Sequence, residues 1–264
     1  MLAGSSNPVV EHCTFIGCMA SASGGALAVV ERASGSFSMV DFFENRALSF
    51  GGAIFIGAGA SPTFDLVRIE QNHSPNSGGG VSVQDSATPK FCNTVVLDNT
   101  CGSIGGGLHF AVNSSGAVLN CTISGNQATS QGGGIVVQDN ANPLILQTDI
   151  VFNIATTGGG ALFSQSAHPM IEDCRFNDNI AVIHGGGIAS SDYSRCSLTN
   201  CTISRNKARS GSGGGLATSG LAAPEFSLIM MRVRSQRSWG LGIASDFCRI
   251  TSPASRGVQY STSL

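Results

Sequence analysis

Four acids and two histidines are the side chains here whose type and spacing suit catalysis. Glu31, Asp85, Asp139 and Asp192 each stand five residues past a glycine-led triplet. Glycosidic cleavage needs two carboxylates about 5 to 9.5 Å apart, and a lyase needs clustered acids for Ca2+ plus a base. Asp85, Asp139 and Asp192 are therefore the catalytic candidates. Ala58, Val112 and Ser166 fill the same position in the intervening repeats. Successive acids are then expected roughly 10 Å apart, at twice the spacing of neighbouring strands. That separation reads as a solvated acidic face, and no residue is assigned as catalytic. His184, just before Gly185, stands where other repeats place Ser23, Phe50, Ser77, Ile104 and Gln131, and reads as a turn histidine. His109 is expected to project outward between Ser82 and Val136, with no acid or thiol in its column; a lone histidine is a weak catalytic signal. Cys13, Cys121, Cys174 and Cys201 share an inward column. Cys174 and Cys201, one repeat apart, lie within disulfide range in Cα separation, yet read as small apolar core residues. Without a C-x-x-C pair no zinc site is expected, and neither metal nor cofactor is assigned.

The elements that position these residues follow from periodicity. Triplets recur at Gly24-Gly25-Ala26, Gly51-Gly52-Ala53, Gly78 to Gly80, Gly105 to Gly107, Gly132 to Gly134, Gly159-Gly160-Ala161, Gly185 to Gly187 and Gly213 to Gly215, with last residues 27, 27, 27, 27, 27, 26 and 28 apart. A unit this short buries its apolar side only by stacking on the next. A branched aliphatic residue follows each triplet, Leu27, Ile54, Val81, Leu108, Ile135, Leu162, Ile188 and Leu216, and alternation after it marks a strand with one buried face. A second short strand follows Pro8, Pro62, Pro89, Pro143, Pro169 and Pro224, with Gly35 and Gly116 filling that turn elsewhere. A third ends at Asn45, Asn72, Asn99, Asn126, Asn153, Asn179 and Asn206, which are expected to bond amide to amide along the stack and satisfy turn backbone. The expected fold is all-β: a single-stranded parallel β-helix of about nine coils of about 27 residues, three short strands per coil. Residues 1–219 read as regular coils. Residues 220–264 read as a degenerate final coil and end segment, where Arg234 replaces the asparagine and Gly240 to Ile243 form a weak triplet.

Composition narrows the function classes. A net charge of -2 with 11% charged residues gives no attraction for nucleic acid or an anionic membrane. Only Arg232, Arg234 and Arg237 cluster, and they read as a solvated end. No stretch of about 18 apolar residues exists to form a transmembrane helix. Met1 to Asn7 lack the basic and apolar regions of a signal peptide, and Pro8 already holds a repeat position. Sequons occur at Asn72, Asn113, Asn120 and Asn200, of which Asn72 belongs to the expected internal ladder.

Triplet plus aliphatic, as in Gly51-Gly52-Ala53-Ile54, and Phe-x-x-Asn, as in Phe42 to Asn45 and Phe176 to Asn179, resemble the paired motifs of polymorphic outer membrane protein repeats. More broadly, residues 7–219 are similar to right-handed parallel β-helices of the pectin-lyase-like superfamily. The resemblance implies an adhesin-like passenger, secreted or at the cell surface (the outer membrane, if bacterial), whose partners are carbohydrate or cell-surface protein. Its rival is a polysaccharide lyase or hydrolase of the same superfamily. The Asn-Thr-Asp, Gly-His-Gly and Arg-x-Pro-x-x-Arg signatures of the pectin-degrading enzymes are missing. Uniform coil length leaves no insertion to build a cleft wall.

Overall fold

The computed structural model describes residues 1–227, 229–232 and 247–250. The chain winds into a parallel β-solenoid of about eight turns. One turn shows the plan: Val81–Val83, Lys90–Cys92, Val95–Leu97 and Thr100–Cys101. Each strand pairs in parallel with its equivalent one coil on, so that Val81, Phe91, Val96 and Cys101 face Leu108, Val118, Ile123 and Ala128. The expected three strands are joined by a short fourth just past the asparagine, two residues long in most coils and longer at Ile154–Thr157 and Ile180–His184. Among the described residues the four sheets hold 8, 9, 10 and 8 strands. The first sheet runs from Leu27–Val29 to Leu216–Thr218, the second from Val9–Glu11 to Glu225–Ser227, and the fourth from Met19–Ala20 to Lys207–Ala208. In the third sheet, which begins at Thr14–Ile16, Phe247–Ile250 pairs antiparallel with Ile229–Arg232. Arg234, Arg237 and Gly240 to Ile243 lie outside the described residues, as does most of the 220–264 segment. Pro224 opens the strand Glu225–Ser227, and Phe226 packs against the core. Among the described residues no helix is long and apolar enough to cross a membrane.

Like residues stack on like. Phe37, Phe64 and Phe91 form one column with ring centroids 4.9 and 5.0 Å apart, and Phe15 stacks on Phe42 at 5.0 Å. These spacings match the separation of paired strands. Each buried Phe, Ile, Leu or Val contributes roughly 1.5 to 3 kcal/mol through removal of apolar surface from water. One core cluster runs from Leu27 to Ile229.

The asparagines form a second column. Asn126 Oδ1 accepts from both the backbone N and Nδ2 of Asn99, each at 3.0 Å. Its Nδ2 donates to Val96 O at 3.0 Å and Asn153 Oδ1 at 3.1 Å. The pattern repeats from Asn45 to Asn206. Asn72 is fully buried within it.

One frame read from the sequence is corrected. The 26-residue coil loses its residue before the glycines: Gln127 pairs with Ile154, 27 residues on, whereas Gln131 bridges to Thr157, 26 on. The triplet there is Gly158 to Gly160, with Gly158 at φ 65°, and the strand Ala161–Phe163 pairs with Ile135–Val137. Ala161 and Phe163 therefore face the core, while Leu162 faces outward. A one-residue slip exchanges the faces of a strand.

Candidate binding groove

The outward residues of the first sheet are stacked in register: Ala28, Phe55, Ser82, His109, Val136, Leu162, Ala189 and Ala217. They face away from the core, yet the middle five are buried. A wall explains this. Phe50, Ser77, Ile104, Gln131 and Thr157 bridge to one another along the axis just before the triplets. Ile104 packs against an outer cluster of Val136, Leu162 and Ala189. The sheet is thus the floor of a trough parallel to the axis. Towards the C-terminal coils the trough opens into a cavity of ≈ 550 Å³, with Leu162, Ala189 and Ala217 in its floor, Gln131, Thr157, His184 and Ser212 on one wall, and Ser191, Asp192 and Ser219 on the other.

The acidic candidates stand in the turns that follow the first-sheet strands, and of the four Asp192 lines the cavity. Glu31, Asp85, Asp139 and Asp192 all adopt left-handed turns, at φ 55°, 53°, 53° and 50°. Ala58, Val112 and Gln165 adopt the same conformation in the coils between, at 50°, 52° and 52°. Gln165, rather than the expected Ser166, is the equivalent there because of the shorter coil. Asp tolerates this conformation through local hydrogen bonding, a structural reason for acids at these positions. Gln138 Nε2 donates to Asp139 at 3.0 Å, and Ser191 Oγ donates to Asp192 at 3.1 Å. A whole coil, with Ala58, Val112 or Gln165 at the same turn position, stands between each acid and the next. Among the described residues no group of three His, Cys, Asp or Glu is placed to hold a metal ion.

Both histidines lie at the trough. His184 lines the cavity that Asp192 lines from the other side, two residues that sequence spacing gave no reason to join. Its Nδ1 accepts from Ser212 N at 3.2 Å, which leaves Nε2 to carry the proton of the neutral ring. His109 projects outward between Ser82 and Val136 as expected, yet it is buried beneath the wall, with Nδ1 3.2 Å from Ser82 Oγ. Gln84 Nε2 donates to the same hydroxyl at 3.0 Å. Among the described residues His109 Nε2 has no hydrogen-bond partner, and burial lowers its pKa from 6.5 to about 4. The sequence carried no signal for this, because an outward position is solvated unless another segment covers it.

A pH dependence follows. The unfolded chain binds a proton at His109 below about 6.5, whereas the folded chain resists until about 4. The His109 contribution is therefore fully present above pH 6.5 and is lost as pH falls towards 4. At 1.36 kcal/mol per pKa unit the loss is about 3 kcal/mol. Urea unfolding at pH 7 and pH 4 should show His109→Leu losing less stability than the parent by about that amount; equal losses would refute it.

The family model described as "Right handed beta helix region" matches residues 1–150 and 110–223. The chain belongs to the right-handed β-helix family. Handedness is thereby assigned to the parallel coils described above. Searches of curated proteins and of solved structures return no match. Cys121, Cys174 and Cys201 of this β-helix face the core and are buried, while Cys13, in the first coil, is exposed.

Proposed function

We propose that this β-helix is a non-enzymatic scaffold, secreted or at a cell surface, whose trough holds an extended carbohydrate chain or a segment of a cell-surface protein. The observation that carries the reading is the separation of the acids into individual turns on alternate coils, beside a trough lined by hydroxyls, amides and small apolar side chains. An apolar floor between polar walls suits sugars, which present C–H faces and hydroxyl edges. The likeness of the Gly-Gly-Ala and Phe-x-x-Asn units to polymorphic outer membrane protein repeats supports the adhesin-like role. The rival, a polysaccharide lyase or hydrolase, is favoured by one observation: His184 and Asp192 line the same cavity.

The test is to incubate the protein with polygalacturonate, alginate and related polymers. Retention of polymer without new reducing ends or unsaturated products is expected, and Asp139→Ala should behave as the parent. Ala189→Arg, which fills the floor with a long charged side chain, should reduce retention at least tenfold. Product formation lost in Asp139→Ala or Asp192→Ala would replace the scaffold reading with the enzymatic one.

A further inference from the structure

The inward column ahead of the asparagines holds Val40, Val67, Thr94, Cys121, Thr148, Cys174 and Cys201, all buried. Among the described residues of this column, thiols occupy adjacent coils only at Cys174 and Cys201. The strands that follow them are in register, Arg175 opposite Thr202, and Thr202 N donates to Cys174 O at 2.9 Å. In-register parallel neighbours are about 4.8 Å apart, inside the Cα range of disulfides. Both side chains point the same way: Cys174 Sγ donates to Glu172 O at 3.1 Å and Cys201 Sγ to Thr199 O at 3.3 Å, each two residues back. The two thiols also influence each other electrostatically: the neighbouring Cys174 lowers the pKa of Cys201, while Cys201 raises that of Cys174. Cys121 is the internal contrast: the same column flanks it with Thr94 and Thr148, and its backbone N takes Thr148 Oγ1 at 3.3 Å as acceptor.

We propose that Cys174 and Cys201 close into a disulfide that staples two successive coils of the β-helix. The oxidant is a low-molecular-weight disulfide such as oxidised glutathione. The Cys201 thiolate attacks one of its sulfurs, the glutathione S–S bond breaks, and one glutathione thiolate leaves and takes up a proton. The Cys174 thiolate then attacks the Cys201 sulfur of the mixed disulfide and expels the second glutathione. Two protein thiols are oxidised and one glutathione disulfide is reduced to two thiols. Both cysteines are 1% exposed, so exchange takes place while the coils assemble or open. The staple closes a loop of 27 residues in the unfolded chain, which restricts that state.

The experiment refolds the full chain with and without oxidised glutathione, blocks free thiols in denaturant with iodoacetamide, and maps cross-links by peptide mass spectrometry. The expected product joins Cys174 to Cys201 with loss of two hydrogens, and leaves Cys121 alkylated. Oxidised protein should melt about 5–10 °C above reduced protein. Cys174→Val with Cys201→Val should abolish that difference while still folding, because Val40 and Val67 fill the same column. Both thiols alkylated after oxidation, a cross-link from Cys201 to the buried Cys196 instead, or equal melting of oxidised and reduced parent would each overturn the proposal.

Discussion

Gly133→Ala should destabilise the fold by about 4 kcal/mol or more, or prevent folding, through a clash that has no side-chain escape. A Cβ at Gly133 would lie 2.5 Å from Gly159 O and 2.6 Å from both N and O of Ile154. All three atoms are backbone of the next coil, and moving them breaks hydrogen bonds shared by every coil beyond. The middle glycine of the triplet therefore serves close approach: the turn after each asparagine lies directly against it. The first glycine serves conformation, as at Gly132 with φ 60°. The third position admits a Cβ only towards the ends of the stack, where Ala26 and Ala53 occupy it and a Cβ at Gly215 would meet Ile203 Cγ2 at 3.4 Å; at Gly134, inside the stack, it would lie 2.6 Å from Gly160 O. Gly215→Ala is expected to change stability by less than about 1 kcal/mol. Thermal and urea melts of the two variants check the contrast, and similar midpoints would show that the clash is relieved by relaxation.

The second large effect is expected at Asn126→Leu. From the sequence, an asparagine ladder suggests a cost of about 1 to 3 kcal/mol for one lost rung. The structure raises this. Leucine would leave Asn99 N and Nδ2 without their shared acceptor, remove a donor from Val96 O, and break the bond to Asn153 Oδ1. Asn99 is fully buried, so water cannot replace the lost partners. Two orphaned donors at about 1 to 3 kcal/mol each, with the added bulk, give roughly 3 to 6 kcal/mol. Asn45→Leu supplies the comparison. Asn45 Oδ1 accepts from Cys18 N alone on that side, because Cys18 holds the ladder position in the first coil. Its substitution should cost visibly less, and equal losses at positions 45 and 126 would refute the hydrogen-bond account in favour of a steric one.

The coil, its length, its inward columns and its ladder were legible because identical environments recur. A position filled by Phe37, Phe64 and Phe91 in turn declares its burial by repetition. Three features escaped this reading. The fourth strand, two residues long in most coils, carries there one inward and one outward residue, too short a run for alternation to register. The frame at 158–161 was ambiguous because Gly158-Gly159-Gly160-Ala161-Leu162 contains both a three-glycine triplet and a Gly-Gly-Ala-aliphatic unit; packing of Ala161 and Phe163 into the core resolves it. The burial of His109 and the cavity that His184 and Asp192 share depend on a wall that belongs to no single strand.

By itself the sequence determined the repeat, and through it the parallel stacking, the apolar core and the asparagine column, because each follows from placing equivalent residues one above another. Only the tertiary structure decided which outward positions are hidden and which line an open cavity. Periodicity specifies the direction a side chain takes from its own strand, whereas burial on the outer face depends on which other segment of the coil lies over it, here the bridged residues before the triplets, which carry no alternation.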